Sequence, residues 1–131
     1  MEISSLQILV VEDDQINSLL IRKVLERWNI NGSFARNGLE ALQLVEKQNY
    51  DLILMDLHMP ILDGFETTKT IRAMQNPSKS NAVIIALSAS ETTDFKHKIE
   101  DFGFDEYMNK PVQPSLLKQR LEQIVRNKAL V

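Results

Sequence analysis

The sequence contains no cysteine, so disulfide bonds, thiolate zinc sites and cysteine nucleophiles are all excluded. This absence fits a reducing compartment. No apolar run approaches the ~18–20 residues that a membrane span needs. The first five residues, MEISS, lack the basic region and apolar core of a secretory leader. We therefore expect a cytoplasmic protein with no membrane contact.

Neither sign of charge dominates. Fifteen basic residues stand against eighteen acidic ones, for a formal net charge of −3. The absence of a dense basic block argues against a nucleic-acid-binding surface that depends on phosphate contacts. The 131 residues are 44% hydrophobic and 25% charged, which is typical of one globular domain. We expect a single domain over residues 1–131, with a core of about residues 6–127.

Five short apolar runs alternate with five helical patterns along the chain. Asp14, Asp63 and Ser90 are candidate N-terminal helix caps, and Pro114 falls in the first turn of the last helix. An alternation of this kind predicts an α/β fold, a doubly wound parallel sheet with helices on both faces. The apolar runs are residues 6–11, 33–35, 50–55, 82–87 and 106–108.

Polar residues follow several of these runs, where the carboxyl ends of parallel strands would meet. Taken singly, each has an ordinary explanation: Asp13 or Asp14 could cap the first helix, and Lys110 could be a solvated loop residue. Together they indicate a site, because ligands of such sheets bind beyond the carboxyl ends of the strands. The candidate residues are Glu12, Asp13, Asp56, Ser88 and Lys110.

Four motifs make the chain resemble a response-regulator receiver domain of two-component signalling over nearly its whole length. They are VVED at 10–13, MDLHMPILDG at 55–64, ALSA at 86–89 and YMNKP at 107–111. The resemblance implies a flavodoxin-like five-stranded sheet of order 2-1-3-4-5 with five helices. It also implies a cis Lys110–Pro111 bond.

The same resemblance assigns roles to individual residues. Asp56 would be the phosphoacceptor, Lys110 the lysine of the site, and Glu12 and Asp13 the acidic pair. Ser88 would be the switch hydroxyl and Tyr107 the switch aromatic. Phosphorylation would then remodel the face formed by the fourth helix, the fifth strand and the fifth helix, where an unknown downstream target would bind.

The proposed chemistry requires a cation. Like charges about 4 Å apart repel by ~4 kcal/mol at an effective dielectric near 20, so three clustered carboxylates protonate or recruit a metal. Mg²⁺ suits carboxylates and phosphate oxygens. We expect Asp13, Asp56 and the main-chain carbonyl of His58 as direct ligands. Glu12, longer than the commoner aspartate of the family, would act through a water.

Two further positions concern the lifetime of the phosphoryl group. His58 lies two residues after Asp56, and Ser90 lies two residues after Ser88. In receiver domains these positions flank the route by which water reaches the phosphoryl group. The sequence therefore predicts that His58 and Ser90 tune self-dephosphorylation.

The resemblance also implies the partners, namely a histidine kinase or a histidine phosphotransfer domain. The stretch VEDDQIN at 11–17 looks like receivers of hybrid histidine kinases, and the apolar ending ALV suggests a continuing helix or linker. A stand-alone regulator is the other possibility for the parent protein. As an isolated domain the chain would not be an enzyme, beyond self-catalysed phosphotransfer and autodephosphorylation.

Three rival functions are weaker. A phosphatase of the haloacid dehalogenase type needs a second aspartate where His58 stands. A flavin binder would follow its first strand with a loop rich in hydroxyls and amides instead of acids. A degenerate receiver would have lost some of Asp13, Asp56, Ser88 and Lys110.

Overall fold

The computed structural model describes residues 2–89 and 95–129, and for residues 95–97 the backbone alone. Five parallel strands form one sheet of order β2-β1-β3-β4-β5, which confirms the predicted topology. The strands are β1 Ile8–Val11, β2 Gly32–Ala35, β3 Leu52–Asp56, β4 Val83–Ser88 and β5 Glu106–Asn109.

Six α-helices surround the sheet within the described residues, after a short 3-10 helix at Ile3–Ser5. The helices are α1 Gln15–Arg27, α2 Gly38–Lys47, α3 Gly64–Arg72, α4 Pro77–Ser80, α5 Phe95–Phe102 and α6 Pro114–Ala129. The predicted fourth and fifth helices are therefore α5 and α6. No helix of the described part is long and apolar enough to span a membrane.

The short helix α4 is one more than the five helices that the sequence predicted. The side chain of Asn76 accepts a hydrogen bond from the Ser78 N–H at 3.0 Å, and Pro77 occupies the first turn. An asparagine cap followed by proline is a strong local start signal. The helix ends after four residues, at Ser80, since no amphipathic pattern extends it.

The sheet separates two apolar cores. Side chains alternate along each strand, so Ile53 and Met55 of β3 enter one core while Leu52 and Leu54 enter the other. Helices α2, α3 and α5 cover the first core, and α1 and α6 cover the second. All five residues of β3 are buried, because it is the central strand with helices on both faces.

The loop after β3 turns sharply and brings α3 against the end of the strand. Gly64 donates its N–H to the Leu57 carbonyl at 3.1 Å. A Cβ at Gly64 would lie only 2.1 Å from the carbonyl oxygen of Asp56. Glycine is therefore required at this position by close packing against the backbone of Asp56.

Arg72, at the end of α3, joins several backbone segments at the edge of the sheet opposite the polar strand ends. Its guanidinium donates to the carbonyls of Gly103 at 2.7 Å, and of Ser80 and Ala82 at 2.6 Å each. It also pairs with the Asp105 carboxylate at 2.8 Å. Nothing in the sequence pattern marked this arginine, because its partners are mainly backbone carbonyls far along the chain.

The substitution Arg72→Met tests the importance of this network. We expect it to lower the free energy of unfolding by about 2–4 kcal/mol, because three part-buried carbonyls lose a charged donor. Chemical denaturation measures the change. The control is Arg36→Met, which removes an arginine whose side chain is 77% exposed and paired only with Glu40. That loss is expected to stay within about 0.5 kcal/mol, and equal losses in the two variants would contradict the assignment.

Candidate functional site

The carboxyl ends of the strands bring the predicted polar residues into one pocket. Glu12 follows β1, Asp56 ends β3, and Lys110 follows β5. The Lys110 ammonium nitrogen lies 2.8 Å from Glu12 Oε1 and 3.0 Å from Asp56 Oδ1. The side chains of Glu12 and Asp56 are almost fully buried, with exposed fractions of 1% and 3%, and that of Lys110 is partly buried, with an exposed fraction of 16%.

The three consecutive acids after β1 occupy different environments. Glu12 is buried, whereas Asp13 and Asp14 are exposed. Asp14 caps α1, since its Oδ1 accepts the N–H groups of Ile16 at 2.8 Å and Asn17 at 3.2 Å. The sequence left open which aspartate caps the helix, and the structure assigns that role to Asp14. Asp13 is thereby left facing the pocket.

Burial and neighbouring acids dominate the electrostatics of Asp56. Loss of solvation raises the pKa of its carboxyl group from 3.8 to about 8, with further upward contributions from Glu12 and Asp13 and an opposing one from Lys110. Burial would lower the pKa of the Lys110 ammonium, but contacts with Glu12 and Asp56 outweigh it and raise that pKa. The pocket therefore carries more negative charge than Lys110 neutralises.

The acids form a group able to hold a cation. Glu12, Asp13 and Asp56 each offer a carboxylate oxygen, and these oxygens lie within 4.8 Å of one another. The buried Oε1 of Glu12 pairs with the Lys110 ammonium at 2.8 Å and has no other hydrogen-bond partner among the described residues. An all-oxygen donor set with excess negative charge fits Mg²⁺.

The structure also locates the remaining predicted residues. The side chain of His58 is exposed, and its main-chain N–H donates to Asp56 Oδ1 at 3.3 Å. Ser88 is 2% exposed at the end of β4, and its carbonyl accepts the Lys110 N–H at 2.9 Å. The Lys110–Pro111 bond is cis, as expected. Tyr107 is half-buried on β5, and Ser90 lies outside the described residues.

Exposed aliphatic side chains border this edge of the sheet, a feature that sequence reasoning missed. Three of them recur in α1 at helical spacing with the buried Leu25, although they project outwards in the structure. The sequence pattern that could have revealed them is an apolar stripe along α1 that is wider than one buried helix face requires. They are Ile16, Leu19 and Leu20 of α1, Leu39 in the first turn of α2, and Ile61 in the β3–α3 loop, with exposed fractions of 49–75%.

Residues 8–122 match the response regulator receiver domain family. The chain belongs to this family. Among curated proteins, it is 36% identical over 127 residues to hybrid signal transduction histidine kinase K of Dictyostelium discoideum, covering 93% of this chain and 10% of that protein. It is 38% identical over 115 residues to kinase E of the same organism, covering 86% and 7%. The receiver domain thus spans a tenth or less of these two relatives.

Solved structures give the same result. The receiver domain of sensor histidine kinase PA1611 from Pseudomonas aeruginosa PAO1 has a TM-score of 0.82 and 32% identity, with 92% of this chain and 97% of that chain covered. That crystal structure has a magnesium ion coordinated in the active site cleft. The receiver domain of Ssk1 from Saccharomyces cerevisiae, co-crystallised with the histidine phosphotransfer protein Ypd1, scores 0.83 at 30% identity, with 94% of this chain and 90% of that chain covered.

The raised pKa of Asp56 predicts how the stability of the metal-free receiver depends on pH. The folded carboxyl group holds its proton up to about pH 8, whereas the unfolded one releases it near 3.8. Across that interval the folded state binds more protons, so the free energy of unfolding falls as the pH rises. Asparagine resembles the protonated form of aspartate. In the metal-free protein at pH 8, Asp56→Asn should therefore raise the free energy of unfolding by about 1–3 kcal/mol.

Denaturation in the presence of a chelator, repeated from pH 5 to pH 9, measures this effect. The advantage of Asp56→Asn should shrink as the pH falls towards the ordinary pKa of aspartate. Glu26→Gln, at an exposed acid of α1, is the control and should show no such dependence. An advantage that grows on acidification would show that the buried carboxyl group has no raised pKa.

Proposed function

We propose that this receiver domain accepts a phosphoryl group on Asp56, in the cytoplasm, from the phosphohistidine of a histidine kinase or histidine phosphotransfer domain. The observation that carries the proposal is the buried Asp56 carboxylate, 3.0 Å from the Lys110 ammonium, among further acids at the carboxyl edge of the sheet. A carboxylate in this position can act as a nucleophile on phosphorus.

In the proposed transfer, a carboxylate oxygen of Asp56 forms a bond to phosphorus while the phosphorus–nitrogen bond of the donor breaks. The donor imidazole leaves with the bonding electron pair. The Lys110 ammonium and the Ser88 hydroxyl stabilise the charge on the phosphoryl oxygens. Bound by Asp13, Asp56 and the main-chain carbonyl of His58, with Glu12 through a water, Mg²⁺ would neutralise these carboxylates and the phosphoryl oxygens.

The nucleophile must be ionised at the moment of transfer. Because the pKa of Asp56 is about 8 without metal, most of its carboxyl groups are protonated at neutral pH. A cation beside Asp13 and Asp56 favours the ionised form. We therefore expect phosphorylation at neutral pH to depend on the metal, because the cation favours the ionised form of Asp56.

The surroundings of the site support a protein as donor. The exposed aliphatic side chains of Ile16, Leu19 and Leu20 lie in the first two turns of α1, directly after the acids of the site. Contiguous exposed apolar groups are typical of protein-binding surfaces. Similarity to a receiver crystallised with a phosphotransfer protein, and to hybrid kinases, supports a phosphorelay and a hybrid histidine kinase as the parent protein.

We also propose that phosphorylation is relayed through Ser88 and Tyr107 to the face formed by α5, β5 and α6, where a downstream target binds. Ser88 is buried beside Lys110, and the main chains of the two residues are hydrogen-bonded. Tyr107 precedes the end of β5 by two residues and is half-buried. A local change of charge would then bias a two-state element.

Phosphorylation by acetyl phosphate with Mg²⁺ tests the assignment of Asp56. The wild-type domain should gain the mass of one phosphoryl group, and removal of Mg²⁺ by a chelator should abolish the gain. Asp56→Asn should show no uptake, because an amide is not a nucleophile for phosphorus. Intact-protein mass spectrometry measures each result.

The matched control is Asp101→Asn, at an exposed aspartate of α5. It should be phosphorylated like the wild type. Undiminished uptake by Asp56→Asn, or no uptake by the wild type with either acetyl phosphate or a phosphohistidine donor, would refute the proposal.

The lifetime of phospho-Asp56 tests the proposed role of His58 and Ser90. The exposed imidazole of His58 lies beside the phosphoacceptor, so His58→Ala should change the rate of hydrolysis by widening access for water. Ser90→Ala probes the corresponding position after β4. We expect a change of about threefold or more in at least one variant, which corresponds to ~0.7 kcal/mol in the barrier. Half-lives equal to that of the wild type in both variants would exclude this role.

A further inference from the structure

Glu12 is the most deeply buried acid of the site, and both of its carboxylate oxygens have close partners. Oε2 accepts the N–H of Asp14 at 3.2 Å, and Oε1 lies 2.8 Å from the Lys110 ammonium nitrogen. The main-chain N–H of Glu12 donates to the Ala35 carbonyl at 3.0 Å, which continues the hydrogen bonding between β1 and β2. The backbone and the carboxylate of Glu12 are therefore both held in place.

The length of the side chain matters for this arrangement. Aspartate is shorter than glutamate by one methylene group, or about 1.5 Å of reach. With its backbone held by Ala35, an aspartate at position 12 would place its carboxylate about 1.5 Å further from the present position of the Lys110 ammonium. The present contact with Lys110 thus depends on the length of the Glu12 side chain.

Lys110 has two acidic neighbours, Glu12 and Asp56, and phosphorylation chemically alters only one of them. Asp56 becomes an acyl phosphate, so its carboxylate charge moves to the phosphoryl oxygens. Glu12 is unchanged throughout. A flexible lysine side chain loses rotamer entropy when it is held in one position. If the Glu12 carboxylate has already ordered Lys110, this entropy is not lost during the transfer of the phosphoryl group.

We propose that Glu12 is a positioning residue, which holds the Lys110 ammonium beside Asp56 before, during and after the change of charge on Asp56. This inference rests on the proposed function of Asp56 and assigns Glu12 a task separate from that of Asp13. Asp13 is exposed and forms no ion pair with Lys110 among the described contacts, so it acts on the metal side of the pocket. Glu12 holds the lysine, in addition to its proposed contact with the metal through a water.

The mobility of the lysine side chain tests the inference without any phosphodonor. In metal-free wild-type protein, carbon-13 relaxation of the lysine ε-methylene groups should show Lys110 as ordered and the exposed Lys23 as mobile. Glu12→Gln, which keeps the length of the side chain and removes its charge, should make the Lys110 side chain more mobile. Glu12→Asp, which keeps the charge and shortens the side chain, should also increase this mobility.

Asp13→Asn is the matched control, because it removes an adjacent charge and should leave the order of Lys110 unchanged. Phosphorylation of Asp56 by acetyl phosphate at saturating Mg²⁺ should slow about tenfold in Glu12→Gln, the loss expected for a displaced catalytic group.

A wild-type Lys110 as mobile as Lys23 would overturn the inference, and this measurement needs no variant. An ordered Lys110 in both folded Glu12 variants would also overturn it. A wild-type domain that takes up no phosphoryl group would instead refute the function of Asp56, and it would leave the relaxation result unaffected.

Discussion

The placement of one ammonium group between two buried carboxylates is the constraint on which the site depends. Both Glu12 and Asp56 are buried, so an unpaired negative charge on either would be costly, and the Lys110 ammonium is in contact with both carboxylates. One positive charge is shared by two acids. Burial, together with this remaining imbalance, raises the pKa of Asp56, and the imbalance favours the binding of a further cation.

The doubly wound sheet makes this arrangement possible at low cost. The two faces of the sheet are covered by apolar cores, so charged side chains come together where the strands end. The register places Asp56 opposite Leu87 and Ser88 opposite Asn109, so the carboxylate, the hydroxyl and the lysine of the pocket come from neighbouring strands. The backbone hydrogen bonds between the strands therefore set the spacing of these three positions.

The sequence predicted most of this fold because hydrophobic periodicity and helix caps act locally. The strand ends, the cap at Asp63 and the polar residues of the pocket were all identified in this way. Three features escaped prediction because they depend on three-dimensional surroundings: the contact of Glu12 with Lys110, the carbonyl partners of Arg72, and the outward position of Ile16. Residue type alone does not distinguish a buried helical face from an exposed one beside it.

The hydrogen bond from Arg72 to Gly103 has a mechanical consequence for signalling. Gly103 follows the last residue of α5 and has a left-handed backbone angle, φ of +95°, with Arg72 packed where a Cβ would lie. The C-terminal end of α5 is thereby tied to α3. Because this hydrogen bond fixes the end of the helix, a movement of α5 that followed the proposed phosphorylation would turn the helix about Gly103 instead of shifting it as a whole.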